Sequence, residues 1–140
     1  MATNISKIII DASPQKVWDV LTKPEFVKLW QYGSQLDTSW EVGSKIKFTS
    51  KWEDTVFEQW GTVLEFTPPT KLRYSLFAPH PDLEDKAENY FEMIYLLNDK
   101  NGKTNLAIIQ EDNRPNAVQE EEQGEENPIL KTLKEIAEKS

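Results

Sequence analysis

The sequence predicts an α+β fold, in which a curved antiparallel β-sheet of about six or seven strands is packed against helices. Two short helices follow the first strand, and a C-terminal helix packs on the concave face of the sheet. Three observations lead to this prediction. A β-branched run changes directly into helical spacing near the N-terminus, alternating apolar and polar residues fill the middle of the chain, and an amphipathic stretch closes it.

The N-terminal block predicts a strand followed by two short helices. Residues 8–10 are β-branched, and Ser13 with Pro14 offers a cap residue followed by proline at the first helical position. Thr22 and Glu25 have the spacing of a capping box, which predicts that a second helix begins there. The residues expected to face the core are Val17, Trp18 and Leu21 in the first helix, and Phe26, Leu29 and Trp30 in the second.

The middle of the chain has the two-residue period of half-buried strands. Gly61 lies inside one of these runs and indicates a bulge, a bend or the close approach of another group. Asn101 and Gly102 suit the left-handed positions of a hairpin turn. The strands predicted here cover residues 45–52, 56–66, 71–76, 90–97 and 104–110.

The end of the chain combines an acidic run with a helix. Residues 119–126 hold five carboxylates in eight positions. This run indicates a solvated surface or the approach to a helix, and the alternative is an acidic docking patch for a basic partner surface. Asn127 and Pro128 predict the helix start. Its apolar stripe consists of Ile129, Leu130, Leu133, Ile136 and Ala137.

Length and composition limit the class of protein. At 140 residues the chain suits one domain, residues 1–140. The absence of cysteine excludes a disulfide framework, a thiol nucleophile and a thiolate metal site. A net charge of −8 argues against nucleic-acid binding, which depends on Lys and Arg that neutralise phosphates. We see neither a secretory signal nor an apolar run of the ~20 residues that a membrane span needs, and we expect a cytoplasmic protein.

Four segments resemble the START-like or birch-pollen-allergen-like superfamily, also called SRPBCC. They are residues 10–18, 61–65 with 68–74, 88–90 and 130–134, in the order of the superfamily. The chain is most similar to the branch related to the C-terminal domain of heat-shock-chaperone ATPase activators (Aha-type). The resemblance implies a helix-grip fold, with a long C-terminal helix over an apolar cavity. It does not imply one chemistry, because lipid and hormone carriers, aromatase/cyclases and chaperone activators share this fold.

The aromatic residues provide the candidate site. The chain has five Trp, four Tyr and six Phe. Rings on inward strand positions either fill a core or line a pocket, and an apolar pocket with few polar groups is the usual small-ligand site. We therefore predict a cavity for an apolar or lipid-like molecule between the sheet and the C-terminal helix. Its predicted lining is Trp30, Phe48, Ser50, Trp52, Gln59, Tyr74, Phe77, Tyr95 and Gln110.

Catalytic and metal-binding motifs are not evident in the sequence. His80 is the single histidine, and neither an orienting partner nor further metal ligands lie near it in the chain, so we predict no cofactor and no metal. Glu58, Glu65 and Glu92 lie on predicted strands and Glu111 directly follows one, and a carboxylate inside the cavity could serve in acid–base chemistry.

Three functions therefore stay open. The favoured one is a non-catalytic binding domain for an apolar or aromatic small ligand. The first alternative is a co-chaperone-like interaction domain that regulates a heat-shock chaperone ATPase. The second is a cyclase- or hydrolase-like enzyme that uses a cavity carboxylate. The oligomeric state is not predicted.

Overall fold

The computed structural model describes residues 2–31, 33–79, 81–114, 117–124 and 126–139, with only the backbone of Trp52. No helix formed by these residues is long and apolar enough to cross a bilayer. A 3₁₀ turn, Ala87–Asn89, precedes the sixth strand. The other elements are β1 (Ala2–Ile10), α1 (Pro14–Thr22), α2 (Pro24–Trp30), β2 (Gln35–Thr38), β3 (Lys45–Trp52), β4 (Thr55–Thr67), β5 (Lys71–Leu76), β6 (Phe91–Lys100), β7 (Lys103–Asp112) and α3 (Pro128–Lys139).

The seven strands form one antiparallel sheet in the order β1-β7-β6-β5-β4-β3-β2. The strands β2 to β7 pair consecutively, and β1 lies beside β7 at the opposite edge from β2. Helices α1 and α2 connect the two edges, and α3 packs against α1, α2 and β1. The predicted α+β class and the helix-grip fold are confirmed.

The sheet bends where β4 passes from one neighbour to the other. The first part of β4 pairs with β3 and the second with β5, and the register with β5 shifts between Val63 and Glu65. A Cβ atom on Gly61 would lie 1.8 Å from the carbonyl oxygen of Ser75. Only glycine fits this approach of two backbones, so the predicted close contact or bulge at Gly61 is confirmed.

The helix α1 begins as predicted, whereas α2 does not. The Ser13 hydroxyl accepts a hydrogen bond from the Lys16 amide at 3.3 Å, and this caps α1. Thr22 is the last residue of α1, and its hydroxyl donates to the Trp18 carbonyl at 2.8 Å. Lys23 occupies the cap position of α2 without a side-chain hydrogen bond. The capping-box prediction for Thr22 is therefore wrong, because its side chain bonds within α1.

The buried face of α2 also differs from the predicted one. Val27 and Trp30 are buried, whereas Leu29 is 53% exposed. Residues three apart share a helix face, and Leu29 lies about 100° around the axis from Trp30. The prediction that Leu29 faces the core is therefore wrong.

The predicted turns at the β6–β7 hairpin and at the start of α3 are confirmed. Asn101 and Gly102 have φ values of 57° and 88° between the paired residues of β6 and β7. Both positive values are those of a two-residue hairpin turn. The side-chain oxygen of Asn127 accepts hydrogen bonds from the amides of Ile129 at 2.9 Å and Leu130 at 3.3 Å, and this caps α3.

The acidic run lies beside the edge strand β1. The Lys7 amide donates to the Gln123 carbonyl at 2.8 Å, and the Gln123 amide donates to the Ile5 carbonyl at 3.0 Å. The Glu120 amide donates to the side-chain oxygen of Asn4 at 2.7 Å. The run thus satisfies backbone groups of an edge strand, the side chains of residues 120–122 are exposed, and its role as a docking patch stays a prediction.

Candidate ligand cavity

A cavity of about 420 Å³ lies between the concave face of the sheet and the helices α2 and α3. Small-molecule sites usually have volumes of roughly 300–1,000 Å³. Six of the seven strands and two helices contribute to its wall. The lining residues are Ser6, Trp30, Gln31, Ser34, Phe48, Ser50, Phe57, Gln59, Tyr74, Leu76, Phe91, Met93, Tyr95, Ile108, Asn127, Ile129 and Leu130.

Six of the nine residues predicted from the sequence lie in this wall. The alternation of each strand accounts for most of them, because alternate residues of a strand point to one face of the sheet. Trp30 comes from α2, and its indole N–H donates to the Val20 carbonyl at 2.8 Å, so its polar atom bonds within the core. The six are Trp30, Phe48, Ser50, Gln59, Tyr74 and Tyr95.

The structure places Phe77 outside this wall, contrary to the prediction. Phe77 follows the last residue of β5 and forms two backbone hydrogen bonds with Trp60, of 2.7 and 3.3 Å. Its ring packs 5.5 Å from the Trp60 ring and 5.4 Å from that of Tyr90. Tyr74 and Leu76 of β5 line the cavity, so the alternation of that strand turns Phe77, the next residue after Leu76, toward the opposite face.

Gln110 also lies outside the wall. Its side-chain oxygen accepts a hydrogen bond from the side-chain amide nitrogen of Asn4 at 3.5 Å, next to the acidic run.

The predictions for Trp52 and His80 fall on parts of the chain that the structure does not describe. The side chain of Trp52 and the whole of His80 lie outside the described residues.

Sequence reasoning missed eleven residues of the wall. Phe91, Met93 and Ile108 have the same alternation as Tyr95 in β6 and β7, so extending the period along those strands would have found them. Ser6 requires β1 to begin earlier than predicted. The contribution of α3 depends on where that helix packs, and the local sequence does not carry this information.

Two buried tyrosine hydroxyls meet in the cavity wall. The oxygen atoms of Tyr74 and Tyr95 are 2.8 Å apart, and each residue is 3% exposed. Their rings meet edge to face, with centroids 5.8 Å apart. Burial raises the pKa of Tyr95 to about 12 and raises that of Tyr74 well above its ordinary value. Both hydroxyls are therefore protonated at neutral pH.

A second hydroxyl pair joins β3 to the segment before β2. The oxygen atoms of Ser34 and Ser50 are 2.8 Å apart, and Ser34 is buried. Among the described residues of the wall, none carries a charged side chain. The cavity therefore combines aromatic and aliphatic surface with uncharged hydrogen-bonding groups.

The strand glutamates lie outside this wall and form ion pairs. The guanidinium of Arg73 donates to Glu92 at 2.5 Å and lies 4.0 Å from Glu111. Glu58 and Glu65 each contact a lysine of a neighbouring strand, at 2.6 and 3.3 Å. The cyclase- or hydrolase-like hypothesis required one of these four glutamates inside the cavity, and none of the four lines it. The described residues also contain no group of three or more His, Cys, Asp and Glu side chains that could hold a metal ion.

A family model relates the chain to known proteins. The model described as "Activator of Hsp90 ATPase homolog 1-like protein" matches residues 11–138. This match covers nearly the whole chain. A comparison with curated proteins gives no match.

Solved structures of three similar proteins have the same fold. A protein from Cytophaga hutchinsonii is 28% identical, with 83% of this chain and 80% of that chain covered and a TM-score of 0.70. One from Chromobacterium violaceum is 19% identical, with 99% and 98% covered and a TM-score of 0.73. An HSP90 activator from Plasmodium falciparum is 16% identical, with 84% and 76% covered and a TM-score of 0.64.

Proposed function

The chain belongs to the family of activator-of-Hsp90-ATPase-homolog-1-like proteins, and we propose that it is a non-catalytic binding domain for an apolar or aromatic small molecule. The ligand would lie between the sheet and α3. The observation that carries this proposal is the cavity of about 420 Å³ behind Leu130 of α3, with a largely aromatic wall.

The size of the cavity favours ligand binding over a filled core. Protein interiors pack tightly and leave few voids larger than a water molecule. The rings of Phe48 and Tyr74 pack against each other, with centroids 5.8 Å apart, and both still line open space. Phe57 and Ile129 also line the space and are 54% and 38% exposed, which gives the cavity an apolar mouth.

A cavity-filling substitution tests the proposal. Ile108→Trp places a large ring in the cavity, whereas Ile109→Trp places the same ring on the opposite face of β7, and the second variant is the matched control. We expect the neutral fluorescent probe N-phenyl-1-naphthylamine to bind the wild type and the control. Filling the space should weaken its binding at least about tenfold. Equal affinity for all three proteins would remove this cavity from consideration.

A co-chaperone-like interaction domain is the second candidate. The family name and the HSP90 activator from Plasmodium falciparum support it. The exposed carboxylates of residues 120–122 would provide the contact with a basic surface of the chaperone. We expect a complex with the cognate heat-shock chaperone that raises ATPase turnover at low salt and dissociates at high salt. Replacing the three glutamates by glutamine should weaken it, and the absence of any salt-sensitive complex would exclude this candidate.

Domain organisation and location complete the proposal. One sheet and one continuous apolar core include elements from both ends of the chain, which supports a single domain over residues 1–140. The cytoplasmic location rests on the sequence alone and stays a proposal.

A further inference from the structure

The tyrosine pair in the cavity holds one more hydrogen-bond donor than it uses. Tyr74 and Tyr95 each carry an O–H group, and their single mutual hydrogen bond employs only one of the two protons. Whichever residue donates, the other O–H has no acceptor within the part of the chain that the structure describes. Both residues are 3% exposed and line the cavity. A buried donor without an acceptor is unfavourable unless a molecule in the cavity accepts a hydrogen bond from it.

The rest of the wall restricts what that acceptor is. None of the described residues that line the cavity carries a positive charge, so an anion placed there would lose its hydration without gaining a counter-charge. The chain as a whole has a net charge of −8, which further disfavours an anion. The Asn127 side-chain oxygen is already occupied by two amides at the start of α3. The wall thus favours an uncharged ligand that accepts hydrogen bonds.

The serine pair repeats the arrangement elsewhere in the wall. Ser34 and Ser50 share one hydrogen bond and hold two O–H groups, which leaves a second proton for a ligand. Phe48 lies two residues before Ser50 on the same face of β3, and its ring is 5.8 Å from that of Tyr74. A flat molecule resting on the rings would present an oxygen atom at its edge to one hydroxyl pair.

We propose that the ligand is an uncharged, mainly aromatic molecule with a carbonyl oxygen that accepts a hydrogen bond from the Tyr74–Tyr95 pair. This inference rests on the proposed binding function and adds the chemical class of the ligand. Burial keeps both tyrosines protonated at neutral pH, so the donor is available.

Two probes of nearly equal shape test the inference. 2-Acetylnaphthalene has the carbonyl oxygen, and 2-isopropenylnaphthalene has a CH₂ group in its place. The hydrocarbon is the more hydrophobic of the two, so the informative quantity is the change in the ratio of their dissociation constants between protein variants. We expect the wild type to favour the ketone, relative to the double variant Tyr74→Phe/Tyr95→Phe, by about three- to tenfold.

The single variants give a sharper expectation. Either Tyr74→Phe or Tyr95→Phe removes the mutual bond but leaves one O–H for the ligand, so each should keep the preference for the ketone. Tyr90→Phe is the matched control, because its hydroxyl donates to Asp85 at 2.6 Å and lies outside the cavity wall. It should also keep the preference.

The outcomes separate this inference from the proposed function. If both probes bind and the ratio is the same in the wild type and the double variant, the ligand class is wrong and the binding domain stands. If neither probe binds the wild type, both are wrong. Circular dichroism establishes that the variants fold. Should the double variant not fold, the infrared C=O stretch of 2-acetylnaphthalene bound to the wild type decides the matter. A hydrogen bond lowers this frequency relative to cyclohexane, and an unshifted band overturns the inference.

Discussion

Gly61→Ala should destabilise the protein strongly, because two backbones meet at this residue. The new Cβ would lie 1.8 Å from the carbonyl oxygen of Ser75, and ordinary contact at 3.4 Å requires the strands to separate by about 1.6 Å. That movement breaks the bond from the Thr62 amide to the Ser75 hydroxyl, now 3.1 Å, and the two bonds between Trp60 and Phe77. At about 0.5–1.5 kcal/mol each, three lost bonds lower the free energy of unfolding by about 1.5–4.5 kcal/mol.

Urea denaturation and thermal unfolding measure this loss. The expected decrease in melting temperature is about 5–15 °C for a chain of this size. Gly124→Ala is the matched control, since its Cβ would meet the end of the Glu126 side chain at 3.3 Å and the Lys7 carbonyl oxygen at 3.5 Å, which is ordinary contact. We expect the control to change the free energy of unfolding by less than about 1 kcal/mol. If Gly61→Ala were as stable as this control, β4 and β5 would not approach each other as described.

Two further predictions concern the core and the pH dependence of stability. Leu133 of α3 is fully buried, so Leu133→Ala should lower the free energy of unfolding in urea by about 2–5 kcal/mol; a loss under about 1 kcal/mol would mean that α3 does not pack there. Arg114 donates two hydrogen bonds to Asp112, at 2.8 and 2.7 Å, and the pKa of Asp112 is lowered chiefly by this contact. The stabilisation from this contact is present above the unfolded-state pKa of an aspartate, about 3.9, and is lost as the pH falls through the lower folded-state pKa of Asp112. Asp112→Asn should therefore lower the free energy of unfolding by about 1–3 kcal/mol at neutral pH. Urea titrations of the two proteins should show that this difference shrinks below about pH 4. A difference that does not change with pH would contradict the role given to the Arg114–Asp112 contact.

Local chemistry explains the parts of the fold that the sequence predicts correctly. The caps of α1 and α3 and the β6–β7 turn each depend on two or three adjacent residues, such as Ser13 with Pro14, and no distant contact is needed to specify them. The inward residues of the long strands follow from their two-residue period in the same way. The aromatic side of the cavity was therefore predictable.

The parts that could not be predicted depend on distant contacts. The strand β2 has four residues and a single buried one, Leu36, so it is too short to show an alternation. The place of Gln110 depends on its bond with the side chain of Asn4, which is 106 residues away in the chain. The acidic run likewise lies along β1, more than 110 residues away, and nothing in its own composition indicates this neighbour.

The two faces of the β5–β6 pair show how one register fixes both the stability of the sheet and the candidate site. Tyr74 and Tyr95 lie diagonally across these strands on the concave face, and Arg73 and Glu92 lie diagonally on the other face. Since successive residues alternate between faces, a slip of one residue would break both contacts. It would also turn charged side chains into the cavity in place of the rings. The ion pairs on the outer face therefore favour the same register that brings the two hydroxyls together. The polar feature that we assign to ligand recognition is in this way a consequence of the sheet pairing.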